Sequence, residues 1–432
     1  MSELAITALL IASLFLILGS GVWIGLTLTG VAWIAMELFS SRPAGDAMAV
    51  TIWGSSSSWT LTALPLFIWM GEILFRTKLS ESMFKGLAPW VDWLPGRLLH
   101  TNVIGCTIFA AVSGSSAAPC ATIGKMTLPE LTKRGYPQDQ IIGSLAGAGT
   151  LGLLIPPSII MIVYGVTAEV SISQLFVAGV LPGLLLASLF SGYIVVWSLL
   201  NPDQIPPTTE QFTFVQRLYE SRHLIPVVGL IGAVLGSIYA GIATATEAAA
   251  VGVIGSFVLS ALQRSLNWVT FKESLMGATR LYCMIALILA GASFLTLSMG
   301  YIGLPRHLAE YVSSLHLSPF LLIIALAIFY VVLGCFLDGI SMVVLTMGVI
   351  LPTVQAAQID LIWFGIFVVV VVEMAQITPP VGFNLFVLQG MTKKEITYIA
   401  RVTLPFFMLM CGMVLLLWFF PGIVTWLPGK MQ

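Results

Sequence analysis

The sequence predicts an all-α polytopic membrane protein made of two inverted repeats, and three observations support this fold class. Hydrophobic residues make up 58% of the 432 residues and charged residues only 9%, whereas soluble domains carry roughly a quarter charged residues. A proline-punctuated unit occurs twice, at an offset of 223 residues. Finally, most basic residues fall on one side of the membrane if the second repeat is inverted relative to the first.

Each copy of the repeated unit contains a Leu-Pro pair, a Pro-Pro pair and a second Leu-Pro pair. The successive intervals are 27 and 26 residues in both copies. Proline inside a helix removes a hydrogen-bond donor and clashes with the preceding turn, so the Pro-Pro pairs predict interrupted helices. In a membrane, such interruptions persist where the backbone is buried in protein or lines a polar cavity. The prolines are Pro129, Pro156, Pro157 and Pro182 in the first copy and Pro352, Pro379, Pro380 and Pro405 in the second.

The first repeat, residues 1–200, contains three spans, a re-entrant helical hairpin and two further spans. A hydrocarbon core about 30 Å thick needs roughly 20 apolar residues per crossing. The segment 4–18 has no basic leading region or convincing cleavage site, so we expect a retained span rather than a signal peptide. The predicted elements are spans at 4–18, 22–39 and 58–76, an amphipathic interfacial arm at 77–96, the hairpin at 97–130, a broken span at 141–166 and a span at 175–200.

The offset places the same series in the second repeat, residues 223–432, after a polar cytoplasmic linker at 201–222. Five full spans separate the two hairpins, and because five is odd the repeats have opposite topology. The predicted elements are spans at 227–241, 245–262 and 281–299, an arm at 300–319, a hairpin at 320–353, a broken span at 363–388 and a span at 402–420.

The basic residues support the inversion, since basic residues near span ends favour the cytoplasm. Fourteen fall on the cytoplasmic side, three fall outside, and Lys125 lies within the first hairpin. Tandem duplication without inversion is the alternative. The cytoplasmic set is Arg76, Lys78, Lys85, Arg97, Lys133, Arg134, Arg217, Arg222, Arg264, Lys272, Arg280, Lys393, Lys394 and Arg401, and the outer set is Arg42, Arg306 and Lys430.

The hairpin tips and the broken spans contain the candidate binding residues. A tip at Ser113, Gly114, Ser115 and Ser116 exposes amides, which favour a carboxylate, and carbonyls, which can bind a cation. Hydroxyl and carbonyl oxygens suit a hard cation such as Na⁺. Duplicated broken helices indicate the binding site of a secondary transporter. A small-residue packing motif at the tip, or a simple proline kink in each broken span, is the alternative.

Five acidic residues lie in or near apolar segments, and an intramembrane acid is a functional candidate by default. Asp338, at the second tip, is the strongest candidate for cation binding. Glu373 either tunes that site or is satisfied within the bundle. Glu247 has the sequence context of a helix start and a structural role, while Glu37 and Glu72 lie at span ends.

Several other functions are not supported by the sequence. It contains no H-E-x-x-H, P-loop or G-x-S-x-G motif, and the serine cluster has no histidine placed to activate it. The five cysteines occur singly in apolar runs and the four histidines are scattered, so neither set indicates a metal site. We expect no enzyme activity, no organic cofactor and no nucleic-acid partner; the surroundings are membrane lipid.

Five stretches, at 113–118, 154–158, 246–252, 338–339 and 378–384, carry a family resemblance. With them, and over nearly its full length, the chain resembles the large membrane (DctM-type) subunit of tripartite ATP-independent periplasmic (TRAP) transporters. One departure is Ala245, where the family often has proline, and it affects a turn rather than the site. The small four-helix membrane subunit is absent from this chain and is expected as a separate partner.

The resemblance implies a Na⁺-coupled importer of the bacterial inner membrane with an elevator-type ion-transporter-like fold. A periplasmic substrate-binding protein would deliver an organic acid, such as a dicarboxylate, sialic acid or a sugar acid. Each tip would form a Na⁺ site with the break of its own repeat, with the substrate between them. The expected Na⁺ ligands are Ser113, Gly114, Ser115, Ser116, Gly152 and Pro156, then Asp338, Gly339, Thr378, Pro379 and Gly382; the expected substrate ligands are Ser115, Ser116, Ser158, Ser341 and Asn384.

Two other functional classes are also compatible with the sequence. A binding-protein-independent dicarboxylate/Na⁺ symporter would share the hairpins, and transport by the membrane subunits alone would favour it. A channel would show uncoupled currents. The sequence does not identify the organic acid, the Na⁺ stoichiometry or the oligomeric state, because no cavity side chain can be assigned to the substrate.

Overall fold

The computed structural model describes the chain apart from residues 1–2, 78, 208–212, 308–309, 311–317, 336, 381 and 432. These described residues form helices joined by turns, without a strand, which confirms the all-α class for this part of the chain. The first-half helices are α1 Glu3–Gly19, α2 Ile24–Phe39, α3 Ala44–Ser56, α4 Ala63–Phe75, α5 Leu79–Val91, α6 His100–Ser113, α7 Ala117–Lys133, α8 Gln138–Gly149, α9 Ile159–Thr167 and α10 Ile172–Leu200.

The second half has a similar order of helices. Its helix α14 runs for 35 residues, whereas the equivalent part of the first half is the pair α3 and α4, joined through a bend of 56°. The helices are α11 Phe214–Glu220, α12 Ile225–Tyr239, α13 Ala245–Leu262, α14 Trp268–Ile302, α15 Pro319–Leu333, α16 Gly339–Ala356, α17 Leu361–Gln376, α18 Phe383–Thr392, α19 Ile396–Phe419 and α20 Gly422–Thr425.

Several of these helices can cross a membrane. Within the described residues, five are long and apolar enough, and up to seven segments qualify if each of two bent pairs counts as one span. This agrees with a multi-pass membrane protein. The five helices are α10, α13, α14, α16 and α19, and the bent pairs cover 44–75 and 214–239.

The first predicted hairpin consists of two antiparallel helices. Helix α6 ends at Ser113 and α7 begins at Ala117. A Cβ added to Gly105 would lie 3.2 Å from Ile123 Cδ1, so residues equidistant from Gly114 face each other. The arms are 14 and 17 residues long, or about 21 and 26 Å, which is less than the roughly 30 Å of a hydrocarbon core.

The second predicted hairpin has the same arrangement about Asp338. The Tyr330 hydroxyl on α15 lies 2.7 Å from Thr346 Oγ1 on α16. A Cβ added to Gly334 would lie 3.2 Å from the Met342 side chain. Both pairs are equidistant from Asp338, so the two arms are antiparallel. Helix α16 is long enough to cross by itself, and the contacts of Tyr330 and Gly334 join it to α15.

Both Pro-Pro pairs interrupt helices, as the sequence predicts. The first break runs from the end of α8, through a short 3-10 turn at Thr150–Gly152, to Ser158. The second runs from the end of α17 to Gly382, whose φ of +42° favours glycine. The bonds Pro156–Pro157 and Pro379–Pro380 are both cis.

Helix α17 lies at the centre of the bundle. Every residue from Trp363 to Gln376 is buried, and its sequence includes five consecutive valines, 368–372. A helix that is apolar on all sides must be enclosed by other helices. The second hairpin, α9, α10 and α19 pack around it, so this buried helix lies beside both breaks.

Several predicted boundaries need correction. Helix α3 lies where no element was predicted. Helix α14 starts well before the predicted span at 281–299, because Asn267 caps it and accepts a hydrogen bond from the Thr270 N–H at 2.8 Å. The linker at 201–222 contains α11, which begins with a capping box formed by Thr213 and Gln216. The predicted arm at 300–319 starts within α14, and much of the remainder lies outside the described residues.

Candidate functional site

The first hairpin tip packs directly against the first break. A Cβ added to Gly152 would lie 2.2 Å from the Ser115 carbonyl oxygen, so the two backbones approach as closely as glycine allows. Gly114 has a φ of +60°, and its carbonyl accepts a hydrogen bond from the Ile159 N–H at 3.3 Å. The predicted meeting of tip and break is therefore present in the first half.

The second tip packs against the second break in a similar way. The Cys335 thiol donates to the Pro379 carbonyl oxygen at 3.3 Å. A Cβ added to Gly339 would lie 3.2 Å from Gln376 Nε2. Within the second break, Gly382 lies close to Thr378, since a Cβ added to Gly382 would lie 2.9 Å from the Thr378 carbonyl oxygen. In each half the tip thus contacts the broken helix, through backbone atoms in the first half and through the Cys335 and Gln376 side chains in the second.

Asp338 caps the second arm of its hairpin. Its Oδ2 accepts hydrogen bonds from the Ile340 and Ser341 N–H groups at 3.1 and 3.3 Å, and the Ser341 hydroxyl donates to Oδ1. A carboxylate at a helix N-terminus is stabilised by these donors and by the helix dipole. The structure thus places Asp338 at the tip, as predicted, with both oxygens engaged within the helix start.

Glu373 connects the two halves, and sequence reasoning did not foresee this. It lies on α17 and is fully buried. Its Oε1 accepts a hydrogen bond from the Ser116 hydroxyl at 2.5 Å and another from the Leu153 N–H at 2.8 Å. Its Oε2 is buried and has no hydrogen-bond partner in the described part of the chain. An acid of the second half therefore touches both the tip and the break of the first half.

Asn384 is a second residue of the second half that lies against the first half. It is fully buried, and within the described part of the chain neither its Oδ1 nor its Nδ2 has a hydrogen-bond partner. A Cβ added to Gly149 would lie 3.1 Å from Asn384 Nδ2 and 3.0 Å from Cys120 Cβ. Asn384, predicted as a substrate ligand, thus faces the end of α8 and the first hairpin.

Two other predicted hydroxyl ligands make local hydrogen bonds. Ser158 is buried and caps α9, its Oγ accepting from the Met161 N–H at 3.4 Å. The Thr378 hydroxyl donates to the Met374 carbonyl at 2.8 Å. A hydroxyl oxygen retains acceptor capacity while it donates one hydrogen bond, so Thr378 can still face a cation. Pro156 is buried and Pro379 exposed.

Two cavities border these elements. One of about 270 Å³ lies between the first tip and helices α4 and α14, and Ser113 and Ser115 are the predicted ligands that line it. A larger one, of about 970 Å³, is lined by α3 and α14 on one side and by 165–173 and α16 on the other. The larger cavity is thus lined by the first broken helix and the second hairpin on one side and by helices outside these elements on the other.

The available donors fit a hard cation better than a soft transition metal. Within the described residues there is no group of three or more His, Cys, Asp or Glu side chains that could hold a metal ion. The tips and breaks instead provide serine hydroxyls, backbone carbonyls and the bare oxygen of Glu373. Oxygen donors of this kind suit a hard cation.

Two other intramembrane acids have structural partners. Glu247 forms a capping box with Thr244 at the start of α13, which confirms the predicted structural role. Glu72 pairs with Arg76 at the end of α4. These contacts account for the presence of both acids in or near apolar segments, without a bound ligand.

The chain matches the family model described as "Tripartite ATP-independent periplasmic transporter, DctM component" over residues 9–423. It is similar to the C4-dicarboxylate TRAP transporter large permease protein DctM of Rhodobacter capsulatus, with 31% identity over 445 residues that cover 99% of each chain. It is also similar to the isethionate TRAP transporter permease protein DctMQ of Oleidesulfovibrio alaskensis, with 31% identity over 425 residues that cover 96% of this chain and 65% of that protein.

Among solved structures, the chain is similar to the YdaH transporter of Alcanivorax borkumensis, whose crystal structure is described as having an unusual topology. The TM-score is 0.68, the identity 13%, and the match covers 94% of this chain and 98% of the other. At this identity the likeness concerns the fold alone.

Proposed function

This chain belongs to the DctM component family of tripartite ATP-independent periplasmic transporters, and starting from that membership we propose that it imports an organic acid with Na⁺ as the coupling ion. As a large permease subunit it is a multi-pass membrane protein, and its family members are transporters rather than enzymes. The observation that carries the proposal is the packing of each tip against the break of its own half, because this provides two sites rich in oxygen donors and helix ends.

The first Na⁺ site is formed by the tip at 113–116 with Gly152 and Pro156. The second is formed by Asp338 and Gly339 with Thr378, Pro379 and Gly382. Support comes from the close approach of Gly152 to Ser115 and of Cys335 to Pro379. The substrate lies between the tips, within reach of Ser115, which lines the 270 Å³ cavity.

The substrate is a small organic anion. The relatives named above are described as permeases for C4-dicarboxylate and for isethionate, and both compounds are small organic acids. Half-helix N-termini at the tips favour the acid group of such a substrate. A dicarboxylate, sialic acid or a sugar acid is the class to test first.

Transport requires two partners, a small four-helix membrane subunit and a periplasmic substrate-binding protein. Family membership implies both. The relative named DctMQ is longer than this chain, which covers 65% of it, and this is consistent with a second subunit fused to the permease. The complex resides in the bacterial inner membrane.

The movement is of the elevator type and uses two inverted repeats. The hairpins and broken spans, at 97–182 and 320–405, form the transport domain, and the other helices form the scaffold. The 970 Å³ cavity supports this division, because it lies between these two sets of helices. Na⁺ occupancy orders the tips, so the substrate binds the ordered state more tightly.

The test is uptake into proteoliposomes that contain this chain with its small subunit. Candidate binding proteins loaded with radiolabelled dicarboxylate, sialic acid or sugar acid are added outside, with or without an inward Na⁺ gradient. We expect accumulation when the matching binding protein and the gradient are both present. Accumulation without a binding protein would indicate an independent symporter, and uncoupled current would indicate a channel; either result would refute the proposal.

A further inference from the structure

Glu373 differs from the other candidate acids in being fully buried with one oxygen that has no hydrogen-bond partner among the described residues. Asp338 and Glu247 use their oxygens to cap helices, and Glu72 pairs with Arg76. Glu373 is fully buried, and no ion pair to it is present among the described residues. A buried charge without a counter-charge is costly, especially inside a membrane. Glu373 therefore stays charged at this position only if a cation lies beside its Oε2, and the described side chains supply none.

The position of Glu373 indicates which ligand this is. The two donors that reach its Oε1 are the Ser116 hydroxyl and the Leu153 N–H. Ser116 belongs to the first tip, and Leu153 directly follows Gly152 in the first break. Glu373 therefore borders the first proposed cation site on both of its elements. The other donors expected there are hydroxyls and backbone carbonyls, which carry no net charge.

We propose that Glu373 supplies the negative charge of the first cation site, with Oε2 as a ligand for Na⁺. This inference rests on the proposed Na⁺ coupling and adds an anionic residue to it. Because Glu373 lies on α17, the cation at the first tip also holds the helix that leads into the second break. Ion binding in one half is thereby coupled to the backbone of the other half.

Two substitutions separate the charge of Glu373 from its hydrogen bonds. Glu373→Gln keeps the size of the side chain and an Oε1 that accepts from Ser116 and Leu153, but it removes the charge. Ser116→Ala removes one hydrogen bond to Glu373 together with an uncharged hydroxyl of the first tip, and it leaves the charge. Glu247→Gln is the matched control, since it neutralises an exposed acid that caps α13.

The readout is thermal unfolding of the purified permease complex in detergent, titrated with NaCl against choline chloride. We expect Na⁺ to stabilise the wild type and the Glu247→Gln control equally. Glu373→Gln should raise the half-saturating Na⁺ concentration about tenfold or more, because a charge-assisted contact becomes a neutral one. Ser116→Ala should raise it by a smaller factor.

An unchanged Na⁺ titration in Glu373→Gln would overturn the inference. If that variant does not fold, Glu373→Asp keeps the charge but withdraws it by one methylene, and an unchanged half-saturating concentration in this variant would overturn the inference equally. A wild type with no Na⁺ stabilisation and no Na⁺-driven uptake would instead refute the proposed coupling itself, so the two failures are distinguishable.

Discussion

The close approach of Gly152 to the first tip gives a sharp prediction for Gly152→Ala. The added Cβ would lie 2.2 Å from the Ser115 carbonyl oxygen and 2.7 Å from Ser116 Cα, whereas ordinary contacts begin at 3.4 Å. Both neighbours are backbone atoms and cannot rotate away, so the tip must withdraw by about 1 Å. Overpacking of this kind costs about 1–3 kcal/mol.

A displacement of this size exceeds the roughly 0.5 Å within which a binding site must hold its ligands. We therefore expect Gly152→Ala to raise the half-saturating Na⁺ concentration by about tenfold or more and to lower the thermal stability in Na⁺. The assay is the Na⁺ titration of thermal unfolding, combined with uptake at several Na⁺ concentrations.

Gly192→Ala is the matched control for this prediction. Gly192 lies within α10, and a Cβ added there would meet nothing within 4 Å. Alanine is favoured over glycine in a helix by up to about 1 kcal/mol, so this variant should be as stable as the wild type or more so. Wild-type stability and Na⁺ dependence in Gly152→Ala would refute the tip–break packing described here.

Three further substitutions test other contacts. Asn384→Ala should raise the Na⁺ requirement for uptake several-fold, because the variant loses a buried carbonyl oxygen that has no partner among the described residues; an unchanged requirement would remove Asn384 from the site. Thr244→Ala should lower stability by about 1 kcal/mol through the lost cap, with unchanged Na⁺ dependence as the internal check. Tyr164→Phe should cost about 1 kcal/mol, measured by thermal unfolding, since its hydroxyl donates to the Leu361 carbonyl at 2.7 Å; no loss would mean that this hydrogen bond is not formed.

The sequence was sufficient to predict the breaks because proline and glycine act locally. The Pro-Pro pairs and Gly114 interrupt helices through their own backbone properties, independently of their neighbours. The two tips were found because their polar residues interrupt apolar runs. The 223-residue offset then located the second set from the first. This is why helices end and begin again close to both predicted tips and both Pro-Pro pairs.

The missed helices have a different cause. The first turns of α14 contain Lys272, Glu273 and Arg280, and these charges place the segment below the hydropathy expected of a span. The helix persists there because Asn267 caps it and because charged side chains are tolerated where a helix leaves the hydrocarbon core. Helix α11 was missed for a related reason, since its capping box lies in a polar segment that resembles a linker.

The part of the site that the sequence did not predict depends on long-range packing. Glu373 meets Ser116 and Leu153, which lie 257 and 220 residues away along the chain. No local pattern encodes such a pairing. Asp338 is the opposite case, since its local pattern fits two roles. An acid followed by Gly339 and an apolar run suits a cation site and is also the pattern of a helix cap. In the structure both of its oxygens accept hydrogen bonds at the start of the helix.

The central claim is that the two hairpins enter the membrane from opposite faces, and sided labelling of cysteines tests it most directly. In a background without the five native cysteines, Lys133→Cys and Ala356→Cys place one exposed thiol at the base of each hairpin. A membrane-impermeant maleimide is applied to right-side-out and inside-out vesicles. We expect Lys133→Cys to react only from the cytoplasmic face and Ala356→Cys only from the periplasmic face. Reaction of both from the same face would contradict the inverted repeats and the transport mechanism that depends on them.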